Sequence, residues 1–183
     1  TVDLKDVWGS GRDNVWAVGS NGTVLHRDGA AWSRVTVDSN EELSGLWGSG
    51  ADDVWAVGGD VHPNGGWGVR WNGRSWSRLT TSENPSTYVV GGSDANDVWL
   101  GGGYGSATHW NGSSWSPSVR IGENTTDGWD AGPFFRGTIE AFWGSSPNDV
   151  WAVGSGNEGG GIARWNGSAW SVLLRRVPDG LHD

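Results

Sequence analysis

The chain of 183 residues contains no cysteine and no methionine. The lack of cysteine excludes a disulfide framework, a thiolate metal site and a cysteine nucleophile. Because neither of the two readily oxidised side chains is present, we expect the protein to be secreted or to lie at a cell surface. No apolar run approaches the roughly 20 residues that a membrane helix needs, so the sequence predicts no membrane span.

Positive charge is also scarce, with 12 Lys and Arg against 21 Asp and Glu and a formal net charge of −9. A field of this sign repels the phosphate backbone of nucleic acids. It repels an anionic membrane surface for the same reason. The composition therefore argues against both as partners.

Tryptophan and glycine are abundant instead, at 16 and 33 residues, and one short phrase containing both recurs four times. The copies are "NVWAVG" (14–19), "DVWAVGG" (53–59), "DVWLGGG" (97–103) and "NDVWAVG" (148–154). They lie roughly 40 to 50 residues apart, a period typical of propellers, solenoids and repeat arrays.

The second copy shows what one repeat contains. Four short apolar runs are separated by turn residues and show no helical periodicity: "LSGLWGSG" (43–50), "VWAVGG" (54–59), "WGVRW" (67–71) and "WSRL" (76–79). Asn-Gly and Asp-Gly steps are strong hairpin signals because both residues tolerate positive φ. They occur at 28–29, 72–73, 111–112 and 166–167. Four strands per repeat are the blade of a β-propeller.

The sequence thus predicts an all-β β-propeller, built from four four-stranded antiparallel blades in one domain of residues 1–183. The predicted blades are 1–38, 39–81, 82–118 and 138–175, with a long inserted loop at 116–138. A blade between two neighbours buries both faces of its middle strand, which explains the continuously apolar "VWAV". We expect the repeated tryptophans to fill space between blades rather than to bind ligand: Trp16, Trp55, Trp99 and Trp151.

The run "VWAVGG" followed by "VRWNGRSWSRL" resembles the kelch repeat, in a Trp-rich form of bacterial type. The double glycine of that family stands at Gly58-Gly59 and Gly101-Gly102, whereas Gly19 and Gly154 are each followed by serine. The "GS…(N/D)DVW" turns also resemble the Asp-box of sialidase-like propellers. Propellers host many functions, so these resemblances imply a fold and no particular activity.

Loop variation is confined to one predicted face. With the strands of a blade called a to d, the a–b and c–d turns share a side and are nearly constant. The b–c and d–a connections lie on the opposite side, vary freely and include residues 116–138. We call these sides the constant face and the variable face. Loops of varying length are where binding usually occurs.

The variable face carries aromatic residues among Asn, Asp and Gly, which suits a sugar site. Flat rings stack on a pyranose, and short polar side chains bond its hydroxyl groups. The candidate ligand-binding residues are Trp129, Asp130, Trp67, Tyr104, His62, Asn157 and Glu158. A second interpretation of Trp129 is that it folds back with Phe134 and Phe135 as a plug in the channel mouth.

A cation and an acid or amide recur at fixed repeat positions: His26, Arg70, His109 and Arg164, with Asn14, Asp53, Asp97 and Asp149. Strands b and c are antiparallel neighbours, so the two positions meet at the rim of the constant face. We predict one structural pair per blade. The alternative is a ring of equivalent ligand pockets.

Catalytic signatures are lacking, since no HExxH motif or phosphate loop is present. A glycosidase acid pair would draw on Asp130, Glu140 and Glu158, but nothing in the sequence marks them as a pair. We therefore favour a protein that is not an enzyme and needs no cofactor. Calcium is the one metal that the loops would suit, around Asp127 and Asp130.

The sequence hypothesis for function is a non-catalytic extracellular recognition module, lectin-like, that binds carbohydrate through the variable face. The alternatives are a protein-binding scaffold or self-assembling surface component, and a glycan hydrolase or lyase. Partners would be a glycan or a surface protein. The first repeat begins with strand a and the last ends with strand d, so no shared blade closes the ring. Open blade edges favour a homo-oligomer, and the sequence leaves open whether four blades close alone.

Overall fold

The computed structural model describes residues 1–38, 40–59, 67–81, 86–122, 137–156 and 159–174. In these residues the chain forms sixteen β-strands in four separate antiparallel sheets of four strands each. The all-β class and the four four-stranded blades are thereby confirmed. None of the described residues forms a helix long and apolar enough to cross a membrane.

Each blade uses four strands that are consecutive in the chain. Blade 1 consists of β1 (Leu4–Gly11), β2 (Asn14–Gly19), β3 (Thr23–Asp28) and β4 (Ala31–Val35); blade 2 of β5 (Gly45–Gly50), β6 (Asp53–Gly58), β7 (Trp67–Trp71) and β8 (Trp76–Arg78); blade 3 of β9 (Thr87–Asp94), β10 (Asp97–Gly102), β11 (Ser106–Trp110) and β12 (Val119–Arg120); and blade 4 of β13 (Ile139–Ser146), β14 (Asp149–Gly156), β15 (Gly159–Trp165) and β16 (Trp170–Leu174).

The outermost strand of blade 3 differs from the sequence prediction. β12 lies inside 116–138, which the sequence predicts as a loop, and pairs with β11 through Val119 and Arg120. Pro117 has no N–H to donate to a ladder, which accounts for the break between the bridge at Trp115 and the start of β12. Most of the predicted loop lies outside the described residues.

Three of the four repeated tryptophans fill joints between blades, as predicted, whereas Trp151 of blade 4 remains partly exposed and does not fill a joint of the described blades. Trp16, Trp55 and Trp99 are only 1 to 2% exposed. Trp16 packs on Trp71 and Trp76, which flank the c–d hairpin of blade 2, at centroid distances of 5.3 and 5.2 Å. The same contacts join Trp55 to Trp110 and Trp115, and Trp99 to Trp165 and Trp170. A buried aromatic ring removes about 150 to 250 Å² from water, so these joints hold much of the core.

The glycine that ends the repeated phrase is required by a close chain crossing. A Cβ on Gly58 would collide with the carbonyl oxygen of Glu42, in the segment that enters strand a of the same blade. Gly19 faces Asp3 in the same way in blade 1, and Gly102 faces Ser86 in blade 3. The phrase "VWAVG" therefore combines a wedge with a crossing point.

The innermost strands contact one another in the order β1, β5, β9, β13 and match large side chains with small ones. At the joint of blades 2 and 3, Trp47 packs against the cluster that contains Val90. At the next joint the sizes are reversed, because a Cβ on Gly91 would lie 2.8 Å from the Cβ of Phe142. The tryptophan that Gly91 replaces would have no room there.

The Asn-Gly hairpins form where the sequence predicts them, but the asparagine has a different role. Only the glycine takes positive φ, at 86° to 92° in blades 2 to 4. The Oδ1 of Asn72 instead accepts hydrogen bonds from the backbone N–H groups of Arg74 and Ser75, both at 3.0 Å. The side chain thus closes the turn as an Asx-turn.

Replacing Gly58 by alanine should lower the free energy of unfolding by about 1 to 3 kcal/mol, because the added methyl group overpacks a rigid backbone crossing. Gly50→Ala is the matched control, since its Cβ would meet nothing within 4 Å. Urea denaturation of the two variants measures the difference. Equal stability of the two would contradict the crossing as the reason for Gly58.

Candidate functional site

A cleft of about 630 Å³ lies between blades 1 and 2. We call it the interblade cleft. Trp67, Trp71 and Trp76 of blade 2 contribute indole rings to its wall, and Val35 and Val37 of blade 1 lie opposite. The remaining lining residues are Thr36, Asp38, Val69, Arg74, Ser75 and Arg78. Clefts of roughly 300 to 1,000 Å³ are typical of small-ligand sites.

The repeat itself supplies the aromatic wall. Trp71 ends β7 and Trp76 begins β8, so the c–d hairpin holds the two rings as a pair with centroids 5.9 Å apart. Both rings pack on Trp16 and remain partly exposed toward the cleft. β4 ends at Val35, after which Val37 is buried in the same core cluster.

The polar rim is particular to this joint. Asp38, Arg74 and Arg78 are exposed around the apolar wall. In the matching hairpins of blades 3 and 4 the position of Arg74 is held by Ser113 and Ser168. The cavity between blades 2 and 3 measures only about 10 Å³. The interblade cleft therefore combines flat apolar rings with charged hydrogen-bonding groups, which suits a ligand with both kinds of surface.

At the rim of the constant face, four side chains in each blade contact one another. In blade 3 the Ser93 hydroxyl donates to Asp97 at 2.6 Å, and His109 Nε2 lies 2.7 Å from the other Asp97 oxygen. The His109 ring stacks on Trp99 with centroids 4.4 Å apart. We call such a set a rim quartet. The others are Ser10, Asn14, His26 and Trp16; Ser49, Asp53, Arg70 and Trp55; and Ser145, Asp149, Arg164 and Trp151.

The rim quartets confirm the predicted structural pairs. Each His or Arg uses a ring or guanidinium nitrogen on the acid or amide, and lies against the wedge tryptophan. These groups hold the orientation of the indole that enters the joint. One nitrogen of each His or Arg is engaged within its own blade, so the geometry favours the structural pair over a ring of ligand pockets.

The rim quartets also shift the pKa values of their members. Burial raises the pKa of Asp97, but hydrogen bonds from His109 and Ser93 lower it by more, and it ends below its ordinary value. Hydrogen bonds from Ser145 and Arg164 lower the pKa of Asp149. Burial lowers the pKa of His26 by more than the nearby Asp28 raises it. Blade 1 differs from blade 3 in the partner of the histidine, because Asn14 is neutral whereas Asp97 is a carboxylate.

Tyr104 lies at the tip of the b–c turn of blade 3, on the variable face, and is 69% exposed. Its φ is 58°, in the left-handed region that a bulky residue seldom occupies. The equivalent turn of blade 1 has Asn21 and Gly22 at φ 56° and 59°. The N–H of Tyr104 donates to the carbonyl of Gly137 at 2.6 Å, which fixes the turn against the start of blade 4. An aromatic ring is thus presented to solvent at the expense of backbone strain.

Of the predicted ligand-binding residues, two lie among the described residues. Tyr104 is exposed on the variable face, as a contact residue there should be. Trp67 is only 7% exposed and belongs to the core cluster between blades 1 and 2, so it is a wall of the interblade cleft and not an open aromatic platform. The others lie outside the described residues and stay predictions: His62, Trp129, Asp130, Asn157 and Glu158.

Neither catalysis nor calcium binding is tested at the residues proposed for them. Glu140 is exposed on β13, while its suggested partners Asp130 and Glu158, and the calcium candidate Asp127, lie outside the described residues. Among the residues that are described, no group of three or more His, Cys, Asp or Glu could hold a metal ion.

Arg74 and Arg78 are not among the residues predicted from the sequence, because those candidates were drawn from the loops of the variable face. One signal was available. Arg74 is an arginine at a hairpin position where the other copies of the repeat have serine or alanine.

No protein-family model and no curated protein matches the chain. Solved structures similar to it include YCF48 from Cyanidioschyzon merolae, with a TM-score of 0.65 and 24% identity, over 97% of this chain and 57% of that one. A structure of YCF48 bound to D1 peptide has a TM-score of 0.61 and 19% identity, over 95% and 55% of the two chains. The present chain thus spans little more than half of YCF48.

Two further similar structures have different roles. A variant of Aleuria aurantia lectin in complex with Fucα1-6GlcNAc has a TM-score of 0.60 and 16% identity, over 96% of this chain and 64% of the lectin. The tricorn protease has a TM-score of 0.63 and 11% identity, over 94% of this chain and 17% of the protease. At these identities the likeness shows the propeller fold.

Replacing Asn14 by aspartate should raise the pKa of His26, because it places a carboxylate where the amide oxygen now lies, 2.7 Å from Nε2. In the present chain the His26 pKa is lowered, so His26 contributes most to stability above its ordinary pKa of 6.5 and loses that contribution as the pH falls. In the variant, the raised His26 pKa should instead increase the free energy of unfolding below pH 6.5. NMR titration of the His26 ring and thermal unfolding at pH 8 and pH 5.5 measure both effects.

Asn40→Asp adds the same charge in the connection before β5 and should leave the His26 pKa unchanged. An unchanged His26 titration in Asn14→Asp would contradict the assigned pairing.

Proposed function

We propose that the protein is a non-catalytic recognition module that binds carbohydrate, acts outside the cell or at its surface, and uses the interblade cleft as a binding site. The observation that carries the proposal is the pairing of an indole wall with a charged rim in one cleft. The cleft has room for a mono- or disaccharide, by the usual size of small-ligand sites.

The chemistry of the cleft corresponds to the two kinds of surface on a sugar. The faces of Trp71 and Trp76 offer flat apolar area for the C–H face of a pyranose. Arg74 and Arg78 offer several N–H donors each, Asp38 offers acceptors, and all three lie at the rim where ring hydroxyl groups would emerge. Hydrogen bonds to charged groups contribute about 1.5 to 3 kcal/mol each.

Tyr104 supports a second contact area on the variable face. A strained residue in an exposed turn is retained where the side chain has a use beyond folding. An exposed phenol can stack on a sugar ring and also donate and accept hydrogen bonds. The predicted loop residues, Trp129 and Asp130 among them, belong to this area in the proposal.

The solved neighbours support a binding role. The lectin was solved with a fucose-containing disaccharide, and YCF48 was solved with a peptide. A binding role without catalysis agrees with both, and carbohydrate is the finer choice that the cleft favours. The peptide complex supports the alternative, a protein-binding module, in which the arginines of the cleft would pair with acidic side chains of a partner.

Replacing Arg74 by serine should weaken glycan binding about tenfold or more, equivalent to about 1.4 kcal/mol, without changing the fold. Serine already occupies this hairpin position in blades 3 and 4. A glycan array identifies the ligand, and titration calorimetry compares the variant with the unmodified chain. Arg120→Ser removes an exposed arginine from β12, outside the cleft, and should bind normally.

An array on which no glycan binds would overturn the carbohydrate proposal. Peptide binding that Arg74→Ser weakens would then establish the alternative. Full glycan binding by Arg74→Ser would remove the cleft from the proposal and leave the variable face.

Replacing Tyr104 by asparagine should weaken ligand binding while leaving the fold intact or raising the free energy of unfolding by about 1 kcal/mol, because asparagine tolerates the left-handed region better. The turn would then match Asn21-Gly22 of blade 1. Urea denaturation and calorimetry measure the two effects. Lower stability of the variant would contradict the backbone strain assigned to Tyr104, and unchanged affinity would contradict its binding role.

A further inference from the structure

The outer face of blade 1 exposes apolar side chains whose equivalents in the other described blades are buried or partly buried. Val7 is 63% and Trp32 is 50% exposed, and together with Leu4 and Leu25 they line a groove of about 600 Å³. We call this surface the front face. Strand register makes Val7 equivalent to Leu46 and to Val90, each only 6% exposed. The front face therefore has the composition of an interior joint.

The outer face of blade 4 shows the complementary half. Trp143 is 61%, Leu173 is 55% and Val153 is 40% exposed, and the wedge residue Trp151 is partly exposed. We call this surface the end face. In the register of strand b, Val153 corresponds to Val18 and Val57, which are fully buried. The end face thus carries a wedge tryptophan that enters no joint among the described residues.

The two faces correspond, residue by residue, to the two sides of an internal joint. Trp151 would meet Trp32 as Trp16 meets Trp76, because Trp32 pairs with Arg27 in the same register in which Trp76 pairs with Trp71. The innermost strands also match in size. Trp143 would face Val7, as Trp47 faces Val90 in the joint of blades 2 and 3.

One substitution in the front face distinguishes it from a joint that is always covered. Arg27 occupies the position of Trp71, and its guanidinium contacts the Asp13 carboxylate at 3.5 Å. A guanidinium, like an indole, can pack over the face of an indole ring. Arg27 can therefore still pack on Trp151 in the proposed joint. It also keeps the front face hydrated when no partner is bound.

The two faces do not cover each other within one chain. The described innermost strands contact in sequence from β1 to β13, and no comparable contact joins β13 to β1. The exposed fractions of Val7 and Trp143 lead to the same conclusion, because both side chains would be buried if the two faces met. Apolar surface of this kind marks an interaction site.

We propose that two copies of the chain pack head-to-tail, the end face of each on the front face of the other. A second copy is the occupant that the structure favours, because it supplies both complementary halves at once and continues the same joint that unites the internal blades. The arrangement has two identical joints related by a two-fold axis, so it closes without leaving an apolar face exposed. It goes beyond glycan recognition, since it uses neither the interblade cleft nor the variable face.

Light scattering on the purified chain should give twice 19.4 kDa. Val7→Asp in the front face and Trp143→Asp in the end face should each give the monomer mass, because each places a carboxylate in both joints of the dimer. Both positions are more than half exposed in the single chain, so the fold should survive. Val119→Asp alters an exposed valine on β12, away from both faces, and should stay dimeric.

Mixing the two monomeric variants tests the head-to-tail direction. The intact end face of Val7→Asp and the intact front face of Trp143→Asp can form one unmodified joint, so a mixed dimer should appear although neither variant dimerises alone. A monomeric unmodified chain would overturn the proposal and favour further blades of a longer protein as the occupant. A dimer broken by only one of the two variants would indicate like faces in contact and would also overturn it.

Discussion

Packing of one indole against two indoles of the next blade is the contact on which the arrangement of blades depends. The wedge enters from strand b, and the pair that receives it flanks the c–d hairpin of the following sheet. The rim quartet orients the wedge, since the His or Arg that bonds the acid or amide also lies on the indole. A single repeat therefore supplies the wedge, the device that orients it and the receptor for the preceding wedge. This reciprocity explains why tryptophan recurs at the same places in the copies that form the internal joints.

Periodic features of this kind could be predicted from the sequence. Strand b, the buried wedges, the hairpins and the paired charges all recur at fixed spacing, and each is a local consequence of residue type and register. Features that arise between blades could not be predicted. The burial of Trp67 depends on how β4 ends, and the start of β12 depends on where the ladder resumes after Pro117. Arg74 could be noticed in the sequence only because it departs from the repeat. The repeat pattern describes a single blade, whereas the cleft forms between two blades.

The interblade cleft shows how a packing motif also serves recognition. Trp71 and Trp76 support the wedge and also line the cleft. Packing in the core already fixes the positions of the two rings, so ligand binding does not have to order them. What distinguishes this joint is its polar rim, which changes without altering the contacts beneath. Tyr104 differs, because its turn adopts a strained backbone conformation that exposes the ring to solvent. The chain thus combines a site built on packing with one built on a loop.

The reversal of sizes at Gly91 and Phe142 has a consequence for how such a chain can evolve. Blades that share a repeat would ordinarily be interchangeable, with gain or loss of single copies by recombination. Loss of the third copy would bring Phe142 against Trp47, two bulky rings in a space that fits one. Loss of the fourth would leave Gly91 facing a void. These two copies can therefore be inherited, duplicated or exchanged only as a unit, and substitutions at the two positions must occur together.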